Sequence, residues 1–527
     1  MSTPPQLPAP SPSARPTPTD RLFACLAGAV AGFAALGVAE LVAAAVRPVA
    51  GPVTAVGGSV IDLTPAAVKE WAIRTFGESD KTVLQIGIVV VLAVVAVLLG
   101  RCELWRRGAG VAGMLAFGVL GAAAAVSRPD ASSADALPSL VGASAGAGLL
   151  YWLVGRILAA PGAPASSRRR FLLVAGGTAA GAAGAVVLGR ALGSTRSQDA
   201  EASRAAVRLP RPDEPAPPRP AGAQLAVPGA VPFITPNKDF YRVDTALVVP
   251  KVDATSWRLR VHGLGVAKEL TLSFDDLLAR PVLERDLTLN CVSNEVGGPY
   301  IGTARWTGVR LADVLREAGV RPPSRGGPAD QLVARSVDGI TIGTPVADVM
   351  DGRDALLAFG MNGEPLPFTH GFPVRMLVPG LYGYVSACKW IEEIELTTFD
   401  AYDAYWTRNG WAAKAPVKTQ SRIDTPRGSA RLRAGTVMVA GVAWAQRRGI
   451  ERVEVRIDDG PWQRAELAAS DGPDTWRQWY LRWSATPGDH TLAVRATDGS
   501  GETQTARRTG TMPDGATGHH EIRVTVE

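Results

Sequence analysis

The chain has 527 residues, 46% of them hydrophobic, with 55 Lys and Arg against 49 Asp and Glu and a formal net charge of +6. Its apolar residues gather before residue 191, which excludes a single soluble domain, and many of its arginines flank those apolar runs (Arg106, Arg107, Arg168, Arg169, Arg170), so with no helix-turn-helix, RNP or zinc-finger pattern no nucleic-acid partner is expected. The cysteines are Cys25, Cys102, Cys291 and Cys388; without a CxxC they exclude a zinc ribbon, a thioredoxin-type site and a disulfide scaffold.

In chain order, residues 1–20 read as a disordered N-terminus and 21–190 as five transmembrane helices, near 21–46, 82–100, 109–126, 138–160 and 170–190. Each is about the 20 residues that a helix needs to cross a bilayer. The third and fourth are rich in Gly and Ala, which lets helices pack closely. Arg15 and Arg21 precede the first span, Arg101, Arg106 and Arg107 follow the second, and Arg168–Arg170 precede the fifth. The connections 47–81 and 127–137 are mixed or acidic. Positive-inside topology then predicts a multi-pass protein of the cell membrane with a cytoplasmic N-terminus and everything after residue 190 outside. No histidine occurs before His262, so a bis-histidine haem in the spans is rejected. Charges at mid-span depth are scarce, which favours an anchor over an ion path.

Residues 191–235 contain RLPRPDEPAPPRPAGAQLAVPGAVP and read as an extended, poorly packed linker. Beyond it the pattern turns to short strands and a few helices. Trp257–Gly263 alternates like a strand, Ser273 is a helix N-cap, and Arg310–Val320 is an amphipathic helix stopped by Gly319. The run Leu287–Leu289 delivers Cys291 to a polar loop holding Ser293, Asn294, Gly297 and Gly298. A thiolate is a soft ligand for transition metals, although a lone cysteine at a strand end is by itself an ordinary core residue.

Four ordered segments change that weight. LNC followed by TARWTGVRLADVL, with Asn237–Gly263, Met361–Leu396 and Val437–Leu467, resembles the sulfite oxidase family of molybdopterin enzymes over about 236–527. After the multi-pass α-helical membrane domain read from hydropathy, the resemblance implies an α+β molybdopterin-binding oxidoreductase domain at 236–400 and a C-terminal domain at 401–527, read as an immunoglobulin-like β-sandwich. It implies Mo-molybdopterin as cofactor, with Cys291 as the metal-bound thiolate. Asn237, Phe240 and Tyr241 match a pterin-contacting Asn-x-x-Phe-Tyr pattern, and His370 and Arg375 match the contacts of the HGFPVR segment. Guanidinium suits phosphate. Ser386 and Lys389 match an S-x-K pattern, here lengthened by one residue to SACK. In this family the TARW segment is expected to open a helix.

The chain departs from sulfite oxidases at two places. Their active-site tyrosine corresponds to Ile340, and their sulfite-binding arginine falls near Val243 or Asp244. Asp244 would repel a sulfite dianion. Arg305 is an expected anion contact near the metal, and Asp244 an acid–base candidate, with Glu295 and Asp338 beside it.

Turn signals every eight to twelve residues after 401 (IDDGPW, ATPGDH, ATDGSG) suit an immunoglobulin-like sandwich. The resemblance implies that this domain forms a homodimer. Trp444, Trp462, Trp476, Trp479 and Trp483 are expected in core and interface. No CxxCH occurs and no cytochrome segment precedes the catalytic one, so no haem is expected and electrons pass to a separate partner. Ser167–Leu172, SRRRFL, resembles the twin-arginine export consensus, placed before the last span as folded export of a loaded domain requires. The substrate is a small sulfur or nitrogen compound: sulfite oxidised, or a sulfoxide or N-oxide reduced. A cofactor-free binding module on an anchor is the reading from another class.

Overall fold

A computed structural model describes residues 17–65, 79–128, 131–158 and 165–527, and Val68, Trp71, Ala72, Thr75 and Phe76 besides. The expectation for residues 1–16 lies outside the described residues. The chain forms two compact units, one running to Ser197 and including Thr245–Val248, the other Gln198–Asp244 with Val249–Glu527.

The first unit is helical. Helix α1 (Pro18–Val46) starts one residue after Thr17, whose side chain and that of Asp20 cap it reciprocally, so residues 17–20 are ordered. Then come α2 (Pro52–Leu63), α3 (Asp80–Trp105), α4 (Ala109–Val126), α5 (Leu137–Leu158) and α6 (Ala165–Ala206). Five helices are long and apolar enough to cross a membrane, in the five places expected; α2 is a short helix within a stretch read as a connection. The Gly/Ala-rich α5 is half buried over its most apolar window, the Val/Ile/Leu-rich α3 only 11%. Small residues mark the contact faces because backbones meet there: a Cβ on Gly28 would stand 2.1 Å from the Ala96 carbonyl oxygen, and one on Gly100 2.1 Å from that of Ala24. Glu103, fully buried, accepts from the Gly108 and Val111 N–H groups and so caps α4.

The second unit holds four sheets. Strands β1 (Arg258–Gly263), β2 (Leu270–Ser273), β5 (Gln331–Ser336), β6 (Thr341–Pro345) and β10 (Ile391–Thr397) form one sheet in the order β2-β1-β10-β5-β6. Strands β3 (Val282–Asn290), β4 (Ile301–Arg310), β7 (Leu356–Met361) and β8 (Glu364–Pro365) form another in that order, with β9 (Arg375–Leu377) on β7. The short helices α7 (Phe274–Leu278), α8 (Leu311–Glu317) and α9 (Val346–Met350) lie between them in sequence, and α10 (Tyr405–Arg408) follows β10. Ser273 caps α7 through the Asp276 N–H, as its sequence predicts. TARWTGVR is strand, not helix: Thr303–Val309 pairs with Val282–Thr288 of β3, and the helix begins only at Leu311.

After residue 419 two sheets share one apolar cluster. They are β11-β13-β17-β16 (Gln420–Thr425, Gly435–Trp444, Arg477–Ala485, Glu466–Leu467) and β12-β19-β18-β14-β15 (Arg431–Leu432, His520–Val526, Gly488–Asp498, Ile450–Ile457, Gln463–Arg464). Trp444, Trp476, Trp479 and Trp483 are buried as expected. Trp462 is only half-buried, with the guanidinium groups of Arg495 and Arg456 at 4.3 and 5.0 Å from its ring.

The linker expectation is corrected. Residues 191–206 are the end of α6. Residues 207–235 are irregular but bound along their length. Asp213 and Glu214 N–H groups donate to the Val282 carbonyl. Gln478 accepts from the Leu225 N–H and donates to the Val231 carbonyl, both at 2.6 Å, and the Trp476 indole N–H donates to the Phe233 carbonyl. Proline removes donors but leaves carbonyls, which neighbouring side chains satisfy.

Candidate active site

Cys291 is the first residue beyond β3. Leu287 and Leu289 turn into the core while the strand ends on Asn290, opposite Ile301. The Cys291 N–H donates to the Tyr300 carbonyl and its own carbonyl accepts from the Asn294 N–H. The Asn294 side chain accepts from the Tyr300 N–H at 2.8 Å and closes the loop. The thiol is 9% exposed; burial pushes its pKa up, against the pull of Ser293 and of the Lys389 ammonium. A bound metal cation takes the place of that proton.

Asn237, Phe240 and Tyr241 come to the same place. The Asn237 carbonyl accepts from His370 Nε2–H at 3.1 Å. Its amide donates to Met361 O and Glu364 and accepts from Asn362. Phe240 stacks on Tyr241 at 5.2 Å and meets Trp306 and His370 edge-on at 5.8 and 5.6 Å. Tyr241 lies within electrostatic reach of both Cys291 and Arg375, and burial pushes its phenol up. Burial, then the Arg375 charge, pushes His370 down to about 4, so its ring is neutral near pH 7.

Arg375 is the anomaly of the site. It is 7% exposed, and burial pulls its pKa down to about 10. Its Nε has no partner, and its Nη1 reaches only the His370 carbonyl at 3.5 Å. Its guanidinium stands 5.4 Å from the Trp306 ring centre. A buried charge held this weakly is costly unless an anion completes it.

Lys389 sits close enough to Cys291 to lower its pKa, although the sequence has an extra residue before it. Burial pushes its ammonium down to about 8, opposed by Asp244, which it meets at 2.8 Å. Asp244 also pairs with Arg242 at 2.9 Å. Asp244 is thus a neutralising partner of two cations rather than a free acid–base group or a bare charge repelling anions. Ser386 is fully buried, and its hydroxyl donates to the Leu381 and Tyr382 carbonyls, holding a turn. Arg305 departs furthest from expectation. It lies opposite Asp286, four positions along β4 from Ile301, and its guanidinium is bound to Asp286 at 2.7 and 3.0 Å. Its charge is matched there, so it is not brought to Cys291. Trp306, against Phe240 and Arg375, joins the site without having been singled out, while Arg242, one or two places from the expected sulfite-binding arginine, pairs with Asp244. Only the position of Trp306 in a strand opposite β3 could have signalled it.

A single thiolate does not hold a transition metal unaided, so a metal here arrives with its own ligand. The residues fit a flat, anionic, metal-bearing group such as molybdopterin: Cys291 for the metal, the orphaned Arg375 for a phosphate, and Asn237 with His370 for ring polar atoms. The buried Asn290 side-chain oxygen also lacks a partner.

A family model described as the oxidoreductase molybdopterin binding domain matches residues 246–406. Mitochondrial sulfite oxidase of Rattus norvegicus is 33% identical over 294 residues, 47% of this chain and 53% of that protein. The uncharacterized oxidoreductase YuiH of Bacillus subtilis is 36% identical over 159 residues, 30% of this chain and 74% of that protein. Among solved structures, the sulfane dehydrogenase SoxCD from Paracoccus pantotrophus aligns with a TM-score of 0.46 and 27% identity, covering 53% of this chain and 76% of that one. The chain spans about half the length of the mitochondrial sulfite oxidase it matches. With the cysteine loop, the aromatic pair and the buried arginine in one place, the chain belongs to the sulfite oxidase family of molybdopterin-dependent oxidoreductases.

Proposed function

We propose that the protein is a membrane-anchored, extracytoplasmic oxidoreductase that transfers an oxygen atom, with two electrons, to or from a small sulfur or nitrogen compound. The observation that carries this is the buried guanidinium of Arg375, whose Nε has no partner and whose Nη1 has only a long contact to the His370 carbonyl, within electrostatic reach of Tyr241, itself within such reach of Cys291. When bound, molybdopterin supplies the two-electron centre. Cys291 would hold its metal as a thiolate. Arg375 would neutralise its phosphate, His370, neutral near pH 7, would offer a ring nitrogen, and the Lys389 ammonium favours the thiolate. In the oxidising direction sulfite gains an oxygen originating from water, and two electrons and two protons leave to a separate acceptor.

The positions matching the arginine and tyrosine of sulfite oxidases fall near Val243 or Asp244 and at Ile340, which favours a second reading: reduction of a neutral sulfoxide or N-oxide. The apolar Ile340 packs against the core and donates its N–H toward Asp338, whose carboxyl burial pushes up. The two-sheet domain, read as immunoglobulin-like, would pair two copies, and the SRRRFL segment at the start of α6 would direct folded export.

The test is molybdenum and pterin content of the full chain, made with cytoplasmic cofactor supply, beside Cys291→Ser. Near-stoichiometric molybdenum in wild type is expected. In the variant turnover drops at least about 100-fold, the scale seen when a transition-state-stabilising group is removed. Dye-linked sulfite oxidation and sulfoxide reduction separate the two directions. Folded wild type lacking both molybdenum and pterin would make the protein a binding module instead.

A further inference from the structure

The sheet that carries Cys291 has β3 at its edge. An edge strand leaves a row of backbone groups unpaired. Here residues of the C-terminal sandwich fill that row just before the cysteine. The Thr288 N–H donates to the Asp474 carbonyl at 2.9 Å. Its carbonyl accepts from the Gln446 amide at 3.1 Å, and its hydroxyl accepts from the Trp476 N–H at 2.7 Å. Both backbone polar groups of Thr288, which face away from β4, are therefore held by the sandwich, and its hydroxyl is shared between Trp476 and Thr303 of β4.

The loop after the cysteine is held from the same domain by different strands. Arg422, on β11 and 8% exposed, donates from Nη1 to the Gly298 carbonyl at 2.9 Å. Its Nε is fixed by Asp424 at 2.7 Å. His520, the first residue of β19, accepts the Ile423 N–H on Nδ1 at 3.0 Å, which orients its ring. The ring lies flush on the loop: a Cβ on Gly297 would stand 2.1 Å from His520 Cδ2, and Gly297 has φ of +81°. Only glycine satisfies both the close approach and that backbone conformation.

We propose that Arg422 and His520, with Asp424 fixing the arginine, are positioning residues that clamp the Ser293–Tyr300 loop and thereby set where the Cys291 sulfur stands. The sandwich is then part of the machinery that presents the thiolate, in addition to any role in assembly. None of the three touches the reacting atoms; they act through the loop. A metal–thiolate bond is sensitive to sulfur position and to the dipoles around it, as outer partners of metal ligands generally show. The inference rests on the reading of Cys291 as metal ligand, and its test separates the two.

Amide hydrogen exchange is measured on the full chain prepared without cofactor, wild type against Arg422→Gln. About tenfold faster exchange is expected in the peptide covering residues 292–300, with the β13–β17 ladder unchanged, as loss of one charged hydrogen bond implies. Arg422→Lys, which keeps the charge beside Asp424, should restore part of the protection. Unchanged exchange in the loop overturns the proposal. So does an increase spread equally over the sandwich strands in both variants, which would mark Arg422 as a general stabiliser. In cofactor-loaded protein, Arg422→Gln should retain molybdenum but shift the sulfur-to-metal absorption band. Failure of the Cys291→Ser experiment would leave the exchange result standing and remove only its catalytic meaning.

Discussion

Arg375 shows how one residue can declare what a site awaits. Without a bound anion it is a buried cation with a long hydrogen bond to the His370 carbonyl and an unpartnered Nε. Removing it should therefore cost the cofactor-free chain little or even stabilise it, because an unmatched buried charge disappears. The same change should weaken cofactor retention by roughly 10–100-fold, the value of a charge-assisted hydrogen bond of about 1.5–3 kcal/mol. Arg375→Met, with melting temperature read beside pterin content, gives the two opposite signs; parallel loss of both would mean that the arginine is structural. The buried histidines give a pH signature. His370 and His520 are both pushed from 6.5 down to about 4, burial first and nearby arginines second. Between pH 6.5 and 4 the unfolded chain binds protons that the folded one refuses, so stability is lost as pH falls through that window and levels off below it. Each should contribute about 3 kcal/mol to the fall. Asp338 and Asp424, whose carboxyls burial pushes up, act in the opposite sense. The histidine share is therefore read as the difference in unfolding free energy between wild type and His370→Gln or His520→Gln.

At the scale of elements, the strap of residues 207–235 is the instructive case. Its proline content predicts an extended chain, and extended it is, but it is bonded from Asp213 to Phe233. Gln478 holds it by both ends of one amide. Gln478→Ala should cost about 1–3 kcal/mol and open the strap to proteolysis near residues 225–231, with cleavage mapped by mass spectrometry. Wild-type-like resistance would mean that the other contacts suffice. Strands and short helices were mostly legible, since alternation marks β1 and a Ser–Asp box marks α7. The TARW segment was not, because a strand and the helix that follows it share one apolar run.

For the whole molecule, five helices long and apolar enough to cross a membrane precede the domain that matches the molybdopterin-binding family, and the proposed reading sends that domain across already folded. If SRRRFL is the export signal, Arg168→Lys with Arg169→Lys should cut the protease-accessible, extracytoplasmic fraction about tenfold, since that reading requires the arginine pair itself. The positive-inside rule alone would leave the fraction unchanged, because lysine keeps the charge.

The amino-acid sequence alone located the five helices long and apolar enough to cross a membrane, through runs of apolar residues, and pointed to the cofactor class, through the motifs that carry Cys291, His370 and Arg375. It also pointed to four of the buried tryptophans, Trp444, Trp476, Trp479 and Trp483, because large aromatic surfaces go inside, but not to Trp257, Trp306 or Trp390. Only the tertiary structure decided the electrostatics. Whether a charge is free depends on partners distant in the chain: Asp286 takes Arg305 from the site, and Lys389, 145 residues from Asp244, turns that acid into a neutralising group. It alone decided that Arg422 and His520, more than a hundred residues after Cys291, hold the loop on which the thiol is carried. Local pattern encodes which surfaces are buried; the matching of charges and hydrogen bonds exists only once the strands are brought together.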